Sequence, residues 1–301
     1  MKTQRHNIQI THKEKILFPE SGITKNDLMV YYEKIANHLL PFLKNRPLTM
    51  QRFPKGIEEE GFFQKSVPVF FPDWIKTEEV RKVGGWLNQV ICDTNETLLY
   101  LVNQYVITFH TSLSTIDNIE YPDKLIFDLD SPIENFALAI AGAKALRELL
   151  ENNLGFKAFL MTTGSRGLHV IVPLKQKEDF NEIHAFAKVI SNYIASHNPD
   201  TFTTTIRKDK REGRLYIDYL RNSYGQTSVA PYSVRAIEKA PVATPIFWSE
   251  LEDNNLNAQL WNINNIFERL DTKDDPWKDY HVSGASIKNA KALMEEKLST
   301  K

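Results

Sequence analysis

Apolar and polar positions along the chain follow two periods, which predict helices in some segments and strands in others. Apolar residues three or four positions apart predict helices in GITKNDLMVYYEKIANHLLPFL, NFALAIAGAKALRELLENNLG and EDFNEIHAFAKVISNYIASHNP. Short apolar runs predict strands in PLTMQRFP, KLIFDLD, GRLYIDYL and, on either side of a glycine-containing turn, in KAFLMTTGSRGLHVIVPL. Because helices alternate with strands while some strands form hairpins, we expect a mixed-sheet α/β or α+β domain rather than a Rossmann repeat.

Capping and breaking residues predict where several elements begin and end. Thr24 and Asp27 form a capping-box pattern at the start of the first helix, and Pro41 is expected to end it. The apolar face of this helix comprises Leu28, Tyr31, Ile35 and Leu39. Gly155 is expected to cap the second helix. The segment GFFQKSVPVFFPDWI predicts an ordered loop, LLYLVNQYVITFHTSL fits strands or a short helix, and the C-terminal residues predict a charged amphipathic helix.

Length and composition limit the domain organisation and the compartment. The chain has 301 residues, 42% of them hydrophobic and 25% charged, which predicts a single catalytic domain over residues 1–301. The one cysteine, Cys92, excludes an internal disulfide and a multi-cysteine zinc site, which fits a reducing cytoplasm. The N-terminal residues lack the apolar region of a secretory signal, and no stretch reaches the ~18 apolar residues of a membrane span. We therefore expect a cytoplasmic protein with no membrane partner.

The charge balance limits how the chain contacts nucleic acid. A net charge of −1 excludes a uniformly basic surface, so any such contact must come from local clusters. One cluster lies in IRKDKREGRLYIDYLRN, whose cations are Arg207, Lys208, Lys210, Arg211, Arg214 and Arg221.

Two carboxylates end the apolar strand KLIFDLD. Side chains alternate along a strand, so Asp128 and Asp130 project to one face while Phe127 and Leu129 project to the other. Paired carboxylates repel each other and lose hydration when buried, and a divalent cation such as Mg²⁺ or Mn²⁺ resolves both problems. The alternative is a solvated strand end, because Ser131 begins a turn.

A third carboxylate, Asp218, lies between Ile217 and Tyr219 in RLYIDYL, where an unpaired charge is unfavourable. Three carboxylates from two strands can hold two metal ions about 4 Å apart, the arrangement used for in-line phosphoryl transfer. The alternative for Asp218 is a buried salt bridge to a nearby arginine.

The segment TTGSRGLHVIVPL predicts a tight turn able to face an anion. Gly164 and Gly167 permit the turn, its backbone N–H groups can point to an anion, and Ser165 and Arg166 add donors at its tip. His169 begins the next strand. A structural role is the alternative for this histidine, but its position beside the turn and opposite a carboxylate strand favours a phosphate contact.

The order and spacing of FDLD, TTGSRGLHVIVPL and LYIDYLRNSYGQTSVAPYSVRA resemble those of the polymerase domain of bacterial ligase D. The resemblance begins at KILFPESGITKNDLMVYYEKIANHLLPFLKNRPLTMQRFPKGIEEEGFFQK and covers nearly the whole chain up to about residue 250. That family belongs to the archaeo-eukaryotic primase superfamily and serves non-homologous end joining. The resemblance implies a primase-like core with an RRM-like element, flanked by helices. It also implies DNA 5′-phosphate contacts before about residue 120, a metal and nucleotide core at about 121–250, and a helical extension at 251–301.

Carried over by position, the resemblance assigns roles to individual residues. It implies that two Mn²⁺ or Mg²⁺ ions are bound by Asp128, Asp130 and Asp218. It implies nucleotide contacts by Arg52, Phe63, His110, Ser165, Arg166, His169, Arg211, Arg221 and Arg235. It implies that Lys15 and Lys25 bind the 5′-phosphate of the downstream strand, and that Phe62 and Phe63 stack on bases, which tolerates any sequence. Without the resemblance, this phenylalanine pair would be assigned to the core.

The sequence departs from the family pattern at two positions. Gln51 stands where a lysine precedes the arginine of the family's motif, which leaves one fewer cation near the nucleotide. Arg221 stands where the family has a glutamine or similar residue, and it could restore that charge. No ligase or nuclease module is present in the sequence, so we expect a stand-alone enzyme or one domain of a larger protein.

The resemblance implies a template-dependent nucleotidyltransferase that fills short gaps at DNA breaks. Its expected substrates are gapped DNA with a 5′-phosphate and NTPs in preference to dNTPs. Its expected setting is the nucleoid, as a monomer, with Ku and a separate DNA ligase as partners. Two other classes stay open from the sequence: a haloacid-dehalogenase-type phosphatase using the DxD motif, and a non-catalytic DNA-end-binding module using the basic cluster.

Overall fold

The strand that carries Asp128 and Asp130 lies inside a mixed sheet in the computed structural model, which describes residues 8–132 and 135–299. The described residues divide into two units. The first comprises residues 8–112, 227–243 and 261–271, and the second comprises 113–132, 135–226, 244–260 and 272–299. The units interleave along the chain, and their action as one catalytic domain stays a prediction.

The strands, in chain order, are β1 (Ile16–Phe18), β2 (Ile23–Thr24), β3 (Leu48–Arg52), β4 (Phe62–Gln64), β5 (Thr77–Lys82), β6 (Gly85–Val90), β7 (Val106–Ser112), β8 (Lys124–Asp130), β9 (Phe159–Thr162), β10 (Leu168–Pro173), β11 (Phe202–Thr203), β12 (Leu215–Asp218), β13 (Thr227–Val229) and β14 (Thr244–Ile246). The α-helices are α1 (Lys25–Leu43), α2 (Asn95–Asn103), α3 (Phe136–Arg147), α4 (Phe180–His197), α5 (Ile266–Thr272) and α6 (Lys288–Ser299). Single turns of 3₁₀-helix occur at Ile116–Asn118, Lys208–Lys210, Leu220–Asn222, Trp248–Glu252 and Tyr280–Val282.

The second unit is built on a sheet with the strand order β11-β12-β8-β10-β9-β14. Neighbouring strands are antiparallel except for the parallel pair β11 and β12. The elements β8, α3, β9, β10, α4 and β12 follow the βαββαβ order, and four of these strands lie as β12-β8-β10-β9, which is an RRM-like arrangement. The predicted mixed-sheet fold class is confirmed.

Helix α3 packs on one face of this sheet, and that fixes where the aspartates point. A Cβ on Gly142 would lie 2.3 Å from a methyl group of Leu215 and 3.6 Å from Leu129, so the helix approaches the sheet closely at that glycine. Leu129 and Leu215 are fully buried beneath it. Since side chains alternate along strands, Asp128 and Asp130 lie on the opposite face.

The first unit contains the antiparallel sheet β13-β7-β3-β4 together with helix α1. The predicted capping box of α1 is present, with Thr24 accepting from the Asp27 N–H and Asp27 accepting from the Thr24 N–H. The prediction that Pro41 ends this helix is wrong. The helix continues to Leu43, whose side chain is completely buried, and it ends before Asn45, which adopts a left-handed backbone. Burial of the last turn outweighs the loss of one backbone hydrogen bond at the proline.

Other segments refine the sequence expectations. The predicted loop after Gly61 contains the short strand β4, and the ambiguous apolar segment folds as α2 followed by β7. Helix α3 passes into a π-helical turn at Glu148–Asn153, and Gly155 follows with a left-handed φ of 70°. The predicted C-terminal helix is present as α6. Among the described residues, no helix is both long and apolar enough to cross a membrane.

Candidate active site

The three predicted carboxylates share one face of adjacent strands in the second unit. Asp128 on β8 lies directly opposite Asp218 on β12 and directly opposite His169 on β10, while Asp130 lies opposite Tyr216. Asp128, Asp218 and His169 are buried, and Asp130 is half-buried at the strand end. The sheet register therefore brings the carboxylates together, as alternation along the two strands predicted.

A histidine and an arginine flank Asp128. Its Oδ1 lies 3.3 Å from His169 Nε2, and its Oδ2 lies 3.2 Å from Arg221 Nε. The same Arg221 Nε lies 3.8 Å from Asp218 Oδ2. Like charges directly opposite on neighbouring strands are destabilising, so the guanidinium between these carboxylates stabilises them. The salt-bridge alternative for Asp218 is thus present in the structure.

The turn after β12 holds Arg221 in place. Asn222 is completely buried, and its amide exchanges two hydrogen bonds with the backbone of Ile126 on β8, at 2.8 and 2.7 Å. Asp218 also accepts from the Leu220 N–H at 2.8 Å. The sequence reasoning did not assign this anchoring role to Asn222, although a polar residue directly after the predicted strand was the available signal.

The three carboxyl groups differ in how their surroundings shift the pKa. Burial by itself would raise the pKa of Asp128, but His169 and Arg221 outweigh it and hold that pKa below its ordinary value. Burial and neighbouring carboxylates raise the pKa of Asp130, and burial and Asp128 raise that of Asp218. These two groups carry charges that a bound cation would stabilise.

The donor set suits a hard divalent cation, with one qualification from geometry. Carboxylate oxygens are the ligands that Mg²⁺ and Mn²⁺ prefer, and Arg221 places a positive charge between two of the three carboxylates. In the part of the chain that the structure describes, no three His, Cys, Asp or Glu side chains surround a common point closely enough to hold an ion. The residues fit a metal by chemistry and charge, and binding requires that Arg221 and the carboxylates rearrange.

The turn between β9 and β10 is organised by Thr163, which the sequence reasoning did not assign. The Thr163 hydroxyl accepts from the N–H groups of Ser165 and Gly167, at 3.3 and 3.2 Å. These two N–H groups point into the turn, so the expectation that the backbone of this turn faces an anion is wrong for them. Ser165 is half-buried and Arg166 is exposed, and the Arg166 charge reaches Asp130, where it opposes the rise in pKa.

Tyr216 links the basic segment to the carboxylates. Its hydroxyl lies 3.3 Å from Asp218 Oδ1, and the Arg211 guanidinium lies 3.8 Å from its ring centre. Arg211 also donates to the backbone carbonyls of Thr205 and Ile206. Tyr216 was not predicted, although it precedes Asp218 by two positions and therefore shares its strand face.

Two further arginines of the basic cluster contact residues of their own loop. Arg207 pairs with Asp209 at 2.7 Å, and Arg214 donates to the carbonyls of Arg211, Pro199 and Lys210. These contacts hold the two guanidinium groups against the loop, while Lys208 and Lys210 are exposed, and DNA binding by this cluster stays a prediction.

In the first unit, the two phenylalanines of EGFFQK lie on opposite faces of a strand. Phe63 pairs with Gln51 across β3 and β4, and its ring centre lies 5.5 Å from that of His110. Phe62 shares the other face with Arg52, whose guanidinium lies 5.6 Å from the ring centre. Phe62 is 45% exposed and Phe63 is 62% exposed, so the core alternative for this pair is wrong.

Two predicted arginines of the first unit are placed differently. Arg52 is 8% exposed and donates to the Gln104 carbonyl at 2.8 Å and to Gln64 at 2.6 Å, so the protein itself uses these donors. Arg235 lies in the segment after β13, where its backbone N–H donates to the Pro241 carbonyl at 2.7 Å. Nucleotide contacts by these residues stay predictions.

The two lysines assigned to a 5′-phosphate lie near each other in the first unit. Lys15 is half-buried and donates to the Pro54 carbonyl at 2.7 Å. Lys25 is completely buried and donates to the carbonyl and hydroxyl of Thr11, at 2.6 and 3.2 Å. Burial and the charge of Lys15 lower the pKa of Lys25 to about 8. The Tyr105 ring, unassigned from the sequence, lies beside both ammonium groups.

Comparison with known proteins places this geometry in context. A model of the LigD primase-polymerase domain matches residues 24–277 of the chain. The bifunctional non-homologous end joining protein LigD of Bacillus subtilis is 32% identical over 276 residues, which are 91% of this chain and 44% of that protein. The multifunctional non-homologous end joining protein LigD of Pseudomonas aeruginosa is 35% identical over 277 residues, which are 91% of this chain and 33% of that protein. The chain thus spans less than half of either relative.

A solved structure shares the fold. The polymerase domain of Mycobacterium tuberculosis ligase D in complex with DNA superposes with a TM-score of 0.85 at 28% sequence identity. The match covers 91% of this chain and 98% of that one.

Proposed function

Because the chain belongs to the LigD primase-polymerase domain family, we propose that it is a template-dependent nucleotidyltransferase that fills short gaps at DNA double-strand breaks. Membership makes it a polymerase-type nucleotidyltransferase domain, as the sequence predicted. It leaves the phosphatase and the non-catalytic binding module without support. The relatives named above are end-joining proteins, which supports action in the same process for this chain.

One observation carries the proposal: Asp128 and Asp218 lie directly opposite each other on β8 and β12, with Asp130 two positions along the same face. Adjacent buried carboxylates repel each other, and the pKa values of Asp130 and Asp218 stay raised beside Arg221, so a bound divalent cation would stabilise both groups. In a nucleotidyltransferase, such a group serves to hold divalent ions at the reacting phosphate. We propose that these three residues hold two Mn²⁺ or Mg²⁺ ions.

The proposed reaction is attack of a primer 3′-hydroxyl on the α-phosphate of an incoming nucleotide. Metal ions at the carboxylates would lower the pKa of the attacking hydroxyl and stabilise the charge of the leaving pyrophosphate.

The residues around the carboxylates have separate tasks. Asp128 orients His169 through its Nε2, which leaves Nδ1 buried and without a hydrogen-bond partner among the described residues. We propose that the His169 side chain contacts the triphosphate. Arg221 and Arg166 supply positive charge beside the carboxylates, and Tyr216 holds Asp218 from the far side.

The substrates and partners are part of the proposal. We assign gapped DNA with a 5′-phosphate as the nucleic-acid substrate and NTPs in preference to dNTPs as the nucleotide. Lys15 and Lys25 are the phosphate-binding residues, and Phe62 and Phe63 are the exposed aromatic residues suited to base stacking. Ku, a separate DNA ligase and a location at the nucleoid complete the assignment.

Primer extension on gapped DNA tests the proposal. The substrate panel crosses a 5′-phosphate or 5′-hydroxyl at the downstream strand with NTPs or dNTPs, in the presence of Mn²⁺ or Mg²⁺. We expect template-directed addition that stops when the gap is filled, is faster with the 5′-phosphate and favours NTPs. Folded protein that adds no nucleotide to any of these substrates would overturn the proposed function.

A further inference from the structure

We propose that Tyr105 is a positioning residue of the phosphate site, and that its ring fixes the spacing of the Lys15 and Lys25 ammonium groups. The inference rests on the 5′-phosphate contact within the proposed function. It assigns a role to a residue to which the sequence analysis assigned none.

The first observation is that the Tyr105 ring contacts the ammonium groups of both lysines. The Lys25 ammonium lies 4.3 Å from the centre of the Tyr105 ring and the Lys15 ammonium lies 5.4 Å from it. Both distances fall within the roughly 6 Å over which an aromatic face attracts a cation. Two like charges near each other repel, so a shared aromatic ring offsets part of the cost of keeping them together.

The second observation is the backbone conformation of Tyr105. Tyr105 follows α2 and has a φ of 65°, in the left-handed region where glycine is the favoured residue after a helix. Its N–H donates to the Val102 carbonyl at 2.8 Å and its carbonyl accepts from the Phe53 N–H at 3.0 Å, so this conformation is held from both sides. A tyrosine keeps a strained conformation that glycine would adopt freely. The side chain must therefore contribute something that glycine cannot.

The two lysines differ in their burial and in their hydrogen bonds. Lys25 is completely buried and bonded to Thr11, whose N–H is fixed by Asn103 at 3.1 Å. Lys15 is half-buried and reaches solvent. Lys15 is thus the more accessible of the two phosphate-binding lysines, while Lys25 adds positive charge from a buried position.

This arrangement favours one chemical class of ligand. Two fixed ammonium groups match the double charge of a terminal phosphate monoester better than the single charge of a bridging phosphodiester. Tyr105 therefore contributes to the choice of a 5′-phosphorylated end over a 5′-hydroxyl end or a continuous strand.

The experiment compares three substitutions of Tyr105 and one of Lys15 by fluorescence anisotropy on gapped DNA with a 5′-phosphate or a 5′-hydroxyl at the downstream strand. The quantity measured is the ratio of the two affinities. We expect Tyr105→Phe to keep the wild-type ratio, and Tyr105→Leu and Tyr105→Gly to lower it by about tenfold. Lys15→Ala gives the reference for a lost phosphate contact.

Thermal unfolding separates positioning from a structural role. Because glycine relieves the left-handed strain but loses the ring contacts, we expect Tyr105→Gly to unfold within a few degrees of the wild-type temperature while its phosphate preference falls. A wild-type ratio in Tyr105→Leu would overturn this inference and leave the proposed function intact. Wild-type protein that binds both DNAs equally would overturn both the 5′-phosphate contact and the role of Tyr105, whereas primer extension would still report the polymerase activity.

Discussion

Gly167 is the position where one methyl group should disturb the candidate site most directly. A Cβ at this residue would lie 1.9 Å from the Leu129 carbonyl oxygen on the neighbouring strand β8. Real Cβ atoms essentially never approach closer than 3.0 Å, so residue 167, which directly precedes β10, and β8 must move apart by about 1 Å. The contact between Asp128 and His169, at 3.3 Å, joins the same two strands within two residues and would be lost.

The magnitude follows from overpacking against backbone, which side-chain rotation cannot relieve. We expect Gly167→Ala to cost about 3 kcal/mol, the upper end for inserted methyl groups. With an unfolding entropy of roughly 2.1 cal/mol/K per residue, a chain of 301 residues loses about 1.6 °C per kcal/mol, so the melting temperature should fall by about 5 °C. The matched control is Gly84→Ala at a hairpin tip, where φ is 79° and nothing lies within 4 Å, so only backbone strain of ~1 kcal/mol applies.

Differential scanning fluorimetry and primer extension provide the assay for this pair. Gly167→Ala should melt well below Gly84→Ala and should lose nucleotide transfer at temperatures where it is still folded. Equal melting temperatures with full transfer in Gly167→Ala would refute the argument that strand spacing at this glycine sets the geometry of the site.

Three further predictions concern charge and reactivity. Without metal at neutral pH, we expect Asp130→Asn to raise the melting temperature. The pKa of Asp130 is raised in the folded protein, so ionisation of this group lowers the free energy of unfolding at a pH above the folded-state pKa. At a pH below the ordinary pKa of an aspartate, the group is protonated in both states and has no such effect. We expect Asp128→Asn to lower the melting temperature. The pKa of Asp128 is lowered in the folded protein, so its ionised form stabilises the fold until the pH falls through the folded-state pKa. Melting-temperature shifts of the same sign for both variants, measured in the presence of a chelator, would contradict this. We expect Arg221→Gln to tighten Mn²⁺ binding to the nucleotide-free protein about fivefold, because the competing ion pair with Asp128 is partly exposed and contributes ~1 kcal/mol. Electron paramagnetic resonance of free Mn²⁺ measures the affinity, and weaker binding by the variant would contradict the argument. Burial raises the pKa of the Cys92 thiol, so a thiol reagent should label it only after unfolding, and rapid labelling of native protein would show otherwise.

The carboxylate group could be predicted from the sequence because it depends on strand periodicity. Asp128 and Asp130 are two positions apart, so alternation assigns them to one face, whereas Asp218 was singled out as a charge within an apolar strand and by the family resemblance. The same rule separates Phe62 from Phe63, and the expectation that they act as a pair overlooked it. Local capping signals were equally reliable, as Thr24 shows.

Features that depend on long-range contacts could not be predicted. Lys25 is a charged residue at the start of a helix, where a side chain is usually exposed. It is buried here, and its ammonium group donates to the Thr11 carbonyl. Helix α2 is a short apolar segment that periodicity cannot distinguish from a strand. Arg221 reaches the carboxylates because Asn222 anchors its turn to β8, a contact between residues 96 positions apart in the chain. Pro41 was assigned from propensity, which burial of Leu43 overrides.

The central claim is that Asp128, Asp130 and Asp218 form the metal-binding centre of a nucleotidyltransferase. The most direct measurement is the rate of single-nucleotide addition to gapped DNA with Mn²⁺, for the wild-type protein and for Asp218→Ala. Circular dichroism and DNA binding of both proteins verify that the fold and the DNA contacts persist. We predict that Asp218→Ala binds the DNA and adds no nucleotide above background. Addition at the wild-type rate by the folded variant would contradict the account.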